Sequence, residues 1–127
     1  MIGYLACRSC GQDLHREGGA LRCPAGHSYD IARQGYVSML PAGAKAGAGD
    51  TAAMTAARAD FLAAGHFGSL VTELAAAAQE ALAPQSQPGC VIDVGAGTGY
   101  YLASVLDAVP GRPGLVLDIS KFALRRA

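Results

Sequence analysis

The sequence carries no net charge, since ten Lys and Arg balance ten Asp and Glu. Its overall electrostatics therefore give no long-range pull on a polyanion, and a nucleic-acid partner would have to be held by local patches. Charged residues are scarce, 16% against about 25% in a typical soluble domain. Their split says little: residues 1–48 hold five Lys and Arg against Asp13, Glu17 and Asp30, and the remainder hold five against seven acids. No apolar run approaches the ~18 residues that a membrane span needs. The start, Met1-Ile-Gly-Tyr-Leu-Ala-Cys7, has neither the basic flank nor the apolar length of a secretory leader. A cytoplasmic protein with no membrane partner is expected. In that reducing compartment a Cys-x-x-Cys holds metal or does redox chemistry rather than forming a structural disulfide. Apolar residues are plentiful at 51%, which gives a globular composition. A length of 127 residues allows one ordinary domain, or a small module followed by the start of something larger.

Composition divides the chain into three. Residues 1–40 hold three of the four cysteines and short strand-like runs, Ala20-Leu21-Arg22 and Gly35–Leu40, as expected of a loop-rich module. Residues 41–50, mostly Gly and Ala without apolar periodicity, read as a flexible linker. From residue 51 the pattern turns helical. Asp50 or Thr51 suits a helix cap, Met54, Ala57, Phe61 and Leu62 recur at three- and four-residue spacing, and Gly65 is a plausible stop. A second helix from about 68 to 83 places Leu70, Leu74, Ala77, Ala81 and Leu82 along one stripe before Pro84. The turn-rich connector Pro84–Gly89 leads to Cys90-Val-Ile-Asp-Val94, a β-branched run suited to a buried parallel strand. A glycine-rich turn, a helix to about Val109, the breaker Pro110–Gly114 and a second strand Leu115–Asp118 complete a βαβ unit, and Ser120 caps a last helix. One such unit leaves its sheet edges and helix faces uncovered, so the α/β fold is expected to be incomplete at residue 127.

Cys7-Arg-Ser-Cys10 and Cys23-Pro-Ala-Gly-His27 form a C-x2-C and C-x3-H array separated by twelve residues. Tetrahedral zinc takes four such ligands, and two short-spaced pairs brought together by a hairpin supply them at little loop-closure cost. Gly11, Pro24 and Gly26 suit tight knuckle turns whose amides donate to thiolate sulfur. With all four positions filled, a closed structural site is expected. The alternative is a redox pair with His27 on the surface, which would need a βαβ context that residues 1–40 lack. Cys90 opens an apolar strand and reads as a small hydrophobe. Neither His15 nor His66 is assigned a role.

Asp93-Val-Gly95-Ala-Gly97-Thr98-Gly99 falls between a strand and a helix, and Asp118 ends the next strand. Glycines let the backbone approach a ligand, a helix N-terminus faces it, and the acid accepts ribose hydroxyls. Together these specify a nucleoside-containing cofactor. A dinucleotide fingerprint is GxGxxG, whereas here the third glycine comes one residue early. GxGxG with an acid two positions before it resembles motif I of the seven-stranded S-adenosylmethionine methyltransferases, and a nicotinamide or flavin protein is the weaker alternative.

The order of features resembles the bacterial 23S ribosomal RNA guanine-N1 methyltransferases, including the macrolide-resistance type of antibiotic-producing actinomycetes. The resemblance rests on Cys7, Cys10, Cys23 and His27, and on Tyr29-Asp30 with Gly35-Tyr-Val-Ser-Met-Leu-Pro41. It extends through Gly49-Asp50, Met54, Arg58 and Phe61-Leu-Ala-Ala-Gly-His-Phe67 to Asp93–Tyr101 and Leu117-Asp-Ile-Ser-Lys121. It implies an N-terminal zinc ribbon on residues 1–40 that helps grip a ribosomal RNA hairpin, then residues 51–127 as the first part of a Rossmann-like methyltransferase domain. On matching positions Cys7, Cys10, Cys23 and His27 would bind Zn2+. Asp93, Gly95, Gly97, Thr98 and Gly99 would wrap S-adenosylmethionine, Phe67 would line its pocket, and Asp118 would take the ribose. The linker departs from the family in carrying only Lys45 as a base. Arg8, Arg16, Arg22 and Arg33 are the candidate RNA contacts, and a homodimer is left open. The residues that handle the guanine N1 proton would come after residue 127, so no catalytic residue is assigned and the polypeptide by itself is expected to be inactive. The other readings are a non-enzymatic zinc-dependent RNA-binding module and a nicotinamide-dependent enzyme.

Overall fold

Three-residue strands separated by glycine turns dominate the first part of the chain. In the computed structural model, which describes residues 2–41, 43–44, 49–83 and 89–127, the backbone divides into two units, Met1–Lys45 and Ala46–Ala127. In the first, β1 (His15–Glu17), β2 (Ala20–Arg22) and β3 (Ser28–Asp30) form an antiparallel sheet in that order. Gly18, at φ +58, makes the hairpin turn, and Leu21 pairs with both Arg16 and Tyr29. The core is small. Cys7, Leu14, Leu21 and Cys23 are buried together, with Leu5, Tyr29, Ile31, Val37 and Met39 packed around them. The Gly35–Leu40 run is not a strand: Val37 makes one isolated bridge to Ile31. Gly35, at φ +94, turns the chain there, and Val37 and Met39 contribute by packing on the core instead.

The second unit begins with α1 (Ala52–Ala63). Thr51, not Asp50, is its cap, with Oγ1 accepting from the Met54 amide at 3.2 Å. Gly65 takes φ +80 just past its end. The buried face of α1 carries Thr55 and Leu62, whereas Met54 and Phe61 of the expected stripe are more than half exposed. In α2 (Gly68–Leu82) the expected stripe holds at Leu82 and is otherwise displaced by one residue. Leu70 and Leu74 are exposed, and the sheltered positions are Val71, Ala75, Ala78 and Leu82. These sit at helical spacing, and α2 packs on α3 (Tyr100–Ala108). Of the connectors, residues 42, 45–48 and 84–88 lie outside the described residues.

β4 (Val91–Val94) and β5 (Gly114–Leu117) pair in parallel around α3, with Asp93 opposite Val116 and Val94 opposite Leu117. A βαβ unit is therefore present. The face with Val91, Asp93, Gly114 and Val116 is the one α3 covers. A Cβ on Gly114 would lie 2.6 Å from Leu106 Cδ1 and 3.1 Å from Leu102 Cδ2, so glycine is what permits the close approach. The other face carries Ile92, Val94 and Leu117, all exposed. Ser120 caps α4 (Lys121–Leu124), its Oγ accepting from the Ala123 amide. No single described helix is long and apolar enough to cross a membrane, and α1 and α2, which reach that length and composition only together, meet at 85°.

Candidate metal centre and cofactor cleft

Two knuckle turns bring the four metal-ligating side chains of the first unit together. At the first, the Cys7 amide donates to Gln12 O and the Gly11 amide to Cys7 O, both at 2.7 Å, with Gly11 at φ +72. At the second, Cys23 N donates to His27 O at 3.1 Å and Gly26 N to Cys23 O at 2.9 Å. The glycine amides thus bond backbone carbonyls, not sulfur. The amides that lower the thiols are those of Ser9 and Cys10 for Cys7 and of Gln12 for Cys10, two or three residues past the cysteine in each knuckle.

The Sγ atoms of Cys7, Cys10 and Cys23 and a ring nitrogen of His27 all lie within 4.8 Å of one another. Cys7 Sγ is 3.6 Å and Cys23 Sγ 3.3 Å from His27 Nδ1, and Cys10 Sγ is 3.6 Å from Cys23 Sγ. A tetrahedron with Zn–S bonds of about 2.3 Å has ligand-to-ligand edges of about 3.5–3.8 Å, so this donor set fits zinc. Burial pushes the Cys7 thiol up, but the Tyr29 hydroxyl and the Ser9 and Cys10 amides outweigh it and hold Cys7 at about 6. For Cys10 the Gln12 amide pulls down, while desolvation and the neighbouring Cys7 and Cys23 sulfurs push up and prevail. One thiol is thus readily ionised while its neighbour resists, as expected where sulfurs sit close together.

Tyr29 has no role in the reading of the sequence. From β3 its hydroxyl reaches Cys7 Sγ at 3.3 Å and Ser9 Oγ at 3.2 Å. Its sequence signals are its place in the Tyr29-Asp30 pair that carries the family resemblance and its position two residues after His27. Partners of metal ligands commonly tune affinity 10–100-fold. Tyr29→Phe should therefore hand its zinc to a competing chelator about tenfold faster, with the ribbon still folded. An unchanged transfer rate would mean that the hydroxyl serves Ser9 alone.

In the second unit the bend from Asp93 to Gly99 lies at the carboxyl ends of β4 and β5. Gly97 and Gly99 take φ +57 and +76, values at which a Cβ is strained. A Cβ on Gly99 would also meet Ala127 Cβ at 3.4 Å. The Gly95 and Ala96 amides bond Leu117 O at 2.8 and 3.2 Å, tying the bend to the end of β5. Asp118 points into it: Oδ2 accepts from the Gly97 amide at 2.8 Å and Oδ1 from the Ser120 amide at 2.7 Å. A carboxylate has about four acceptor positions, so two remain for a ligand's hydroxyls.

Above the bend is a cleft of about 510 Å³, within the range for small-ligand sites. Asp93, Gly95, Gly97, Thr98 and Asp118 line it, as does Phe67. The structure thus brings together all the candidate cofactor residues but Gly99, which is buried at the start of α3. Phe67 stands edge-to-face with Phe61, ring centres 5.8 Å apart, and both line the cleft. Asp50, Arg58, Tyr100, Tyr101 and Ile119 line it too, and none was assigned to the cofactor. Asp50 and Arg58 were not legible as site residues because the fold brings them to the bend from some forty positions away. Gly49 and Asp50, read as the end of the linker, pack on Ser120: a Cβ on Gly49 would meet its Cα at 3.0 Å, and Ser120 Oγ donates to Asp50 O at 2.6 Å. Burial, and then the nearby Asp118, raise the Asp93 carboxyl above its usual range. Among the described residues lining the cleft, three carboxylates (Asp50, Asp93, Asp118) face one cation, Arg58.

With this geometry in view, residues 5–47 match the zinc-ribbon family described as "RlmA, N-terminal". A putative 23S rRNA (guanine-N(1)-)-methyltransferase of Micromonospora griseorubida is 51% identical over 142 residues, covering 100% of this chain and 48% of that protein. The 23S rRNA (guanine(748)-N(1))-methyltransferase of Streptomyces fradiae is 46% identical over 127 residues, covering 100% of this chain and 45% of that protein. The resemblance drawn from the sequence therefore holds over the whole chain, which spans about half the length of the curated relatives it matches.

Proposed function

We propose that this chain carries the zinc ribbon and the cofactor-holding part of an S-adenosylmethionine-dependent methyltransferase acting on N1 of a guanine in 23S ribosomal RNA. The observation that carries the reading is the Asp118 carboxylate bonded to the Gly97 amide beneath a cleft rich in carboxylates. In this reading residues 51–127 begin a Rossmann-like domain, residues 1–40 form the ribbon, and residues 41–50 connect them. Asp118 holds the ribose diol with its spare acceptor positions, Gly95, Gly97, Thr98 and Gly99 let the backbone approach, and Phe67 with Phe61 forms an apolar wall. Bound S-adenosylmethionine supplies an electrophilic methyl on a positively charged sulfur.

Charge separates this from the nicotinamide alternative. Three carboxylates against one guanidinium favour a sulfonium and oppose a pyrophosphate, which lacks here the unopposed helix terminus and basic neighbours it needs. The ribbon would contribute to RNA binding through the exposed side chains of Arg8, Arg16, Arg22 and Arg33, which suit phosphate contacts on a hairpin. A cytoplasmic site goes with that substrate. The chain's residues orient the donor and exclude water from it. None is assigned to take the guanine proton, and the polypeptide alone is expected not to methylate. The test is calorimetric titration with S-adenosylhomocysteine and with NAD. Saturable binding of the first and none of the second is expected. Binding of NAD alone would replace the reading, and zinc-dependent RNA binding with neither cofactor would favour a non-enzymatic RNA-binding module.

A further inference from the structure

The Asp50–Arg58 pair does nothing evident for stability. Arg58 Nε and Nη2 both lie 3.0 Å from Asp50 Oδ2, but the Arg58 side chain is 55% exposed, and exposed pairs contribute little to folding. Its placement is nonetheless fixed from both sides. Asp50 is anchored through its carbonyl to Ser120 Oγ at 2.6 Å. The Arg58 stem passes over the glycine bend, with Cδ 3.8 Å from where a Gly97 Cβ would be. Gly97 thus has the Asp118 carboxylate on its amide and the Arg58 stem beside the place a Cβ would take. Arg58 is also the sole cation among the described residues lining the cleft.

A carboxylate and a guanidinium side by side are the complement of a zwitterion. A guanidinium has five N–H donors in a planar fork, and Asp50 engages it through one oxygen only. The remaining donors suit the bidentate grip of a second carboxylate, and Asp50 has acceptor capacity left for an ammonium. We propose that Arg58 and Asp50 form the subsite for the α-amino-acid end of the cofactor, Arg58 holding its carboxylate and Asp50 its ammonium. The inference rests on the methyl-donor reading above and deepens it: a ligand fixed at Asp118 and at Arg58, on two sides of Gly97, has its sulfur held between two anchors.

The test compares two ligands that share adenosine and a thioether sulfur. S-adenosylhomocysteine has the amino-acid end and 5′-methylthioadenosine lacks it. The unsubstituted 127-residue chain should bind the first at least about tenfold more tightly, from the strength of charge-assisted bonds. Arg58→Met, which keeps the stem over Gly97, should weaken S-adenosylhomocysteine by about tenfold and leave methylthioadenosine unchanged. Arg58→Lys, which keeps the charge without the fork, should recover part of the loss. If Arg58→Met weakens both ligands equally, or neither, the subsite assignment is overturned while the methyl-donor reading stands. If the unsubstituted chain binds neither ligand, the methyl-donor reading fails and takes the subsite with it. Arg58→Lys decides the matter should Arg58→Met not fold, since equal affinity of Arg58→Lys and the unsubstituted chain for S-adenosylhomocysteine would show that the fork holds nothing.

Discussion

Cys10→Ser is expected to unfold the ribbon as completely as Cys23→Ser, although Cys10 is exposed and Cys23 is buried. If packing held this unit together, the exposed cysteine would be the tolerant one. The fully buried core is Cys7, Leu14, Leu21 and Cys23, so two of its four members are themselves ligands, and the sheet above it consists of three-residue strands. A core of that size cannot offset the conformational entropy of some forty ordered residues. In such modules metal binding is folding, with apparent zinc affinities of about 10–16 kcal/mol in comparable peptides. Losing one thiolate ligand removes most of that term wherever the ligand sits. The measurement is amide exchange on the whole chain. Protection at Leu21 and Tyr29 should disappear in both variants and on chelation of the parent chain, and return in the parent with stoichiometric zinc, while α2 and α3 stay protected throughout. A Cys10→Ser chain that keeps its sheet would show that packing, not coordination, stabilises the unit.

What the sequence revealed and what it concealed follow from how local each feature is. The Cys and His positions, the Ser120 cap and the glycine bend are set by short spacing and by backbone conformations that few residues adopt, so they can be read in a window of ten. The Asp118 position was legible because strand–helix–strand geometry fixes where the next strand ends. The face that α2 shelters was not: Leu70 and Leu74 win on hydrophobicity, yet Val71, Ala75 and Ala78 are sheltered, because the side that meets α3 is set by the fold and no local rule encodes it. The Gly35–Leu40 run alternates well enough for a strand, but a strand also needs a partner, and Val37 finds Ile31 alone. Tyr29 on Cys7, and Arg58 on both Asp50 and the Gly97 bend, are juxtapositions made by the fold. The residue types hinted at them only once the backbone had placed them.

Asp118→Ala is expected to abolish measurable S-adenosylhomocysteine binding and to destabilise the second unit, whereas Asp93→Asn, on the facing strand end, should stabilise it. Asp118 uses one oxygen on the Gly97 amide and the other on the Ser120 amide. The alanine strands two partly buried backbone donors, at about 1–3 kcal/mol each where water cannot reach them. It also frees the bend from the β5–α4 turn. The ligand then loses its ribose acceptor as well as a preorganised loop, and about a hundredfold in affinity is a conservative figure for two charge-assisted hydrogen bonds. Asp93 has the opposite sign. Burial, and next the Asp118 charge, raise its carboxyl above the value of 3.8 it has when unfolded. The folded unit therefore holds this proton more tightly than the unfolded chain. The contribution is present below the unfolded value and is lost as pH rises through the raised one, so at neutral pH the ionised Asp93 opposes folding. Asp93→Asn removes that opposition and should flatten this part of the stability–pH curve. Thermal melts of both variants across pH 4–7, with ligand titrations at neutral pH, check the pair. If both variants lose stability alike, Asp93 is held by contacts that outweigh its desolvation and the assigned electrostatics of the bend are wrong. If Asp118→Ala still binds S-adenosylhomocysteine at full strength, the ribose is held elsewhere.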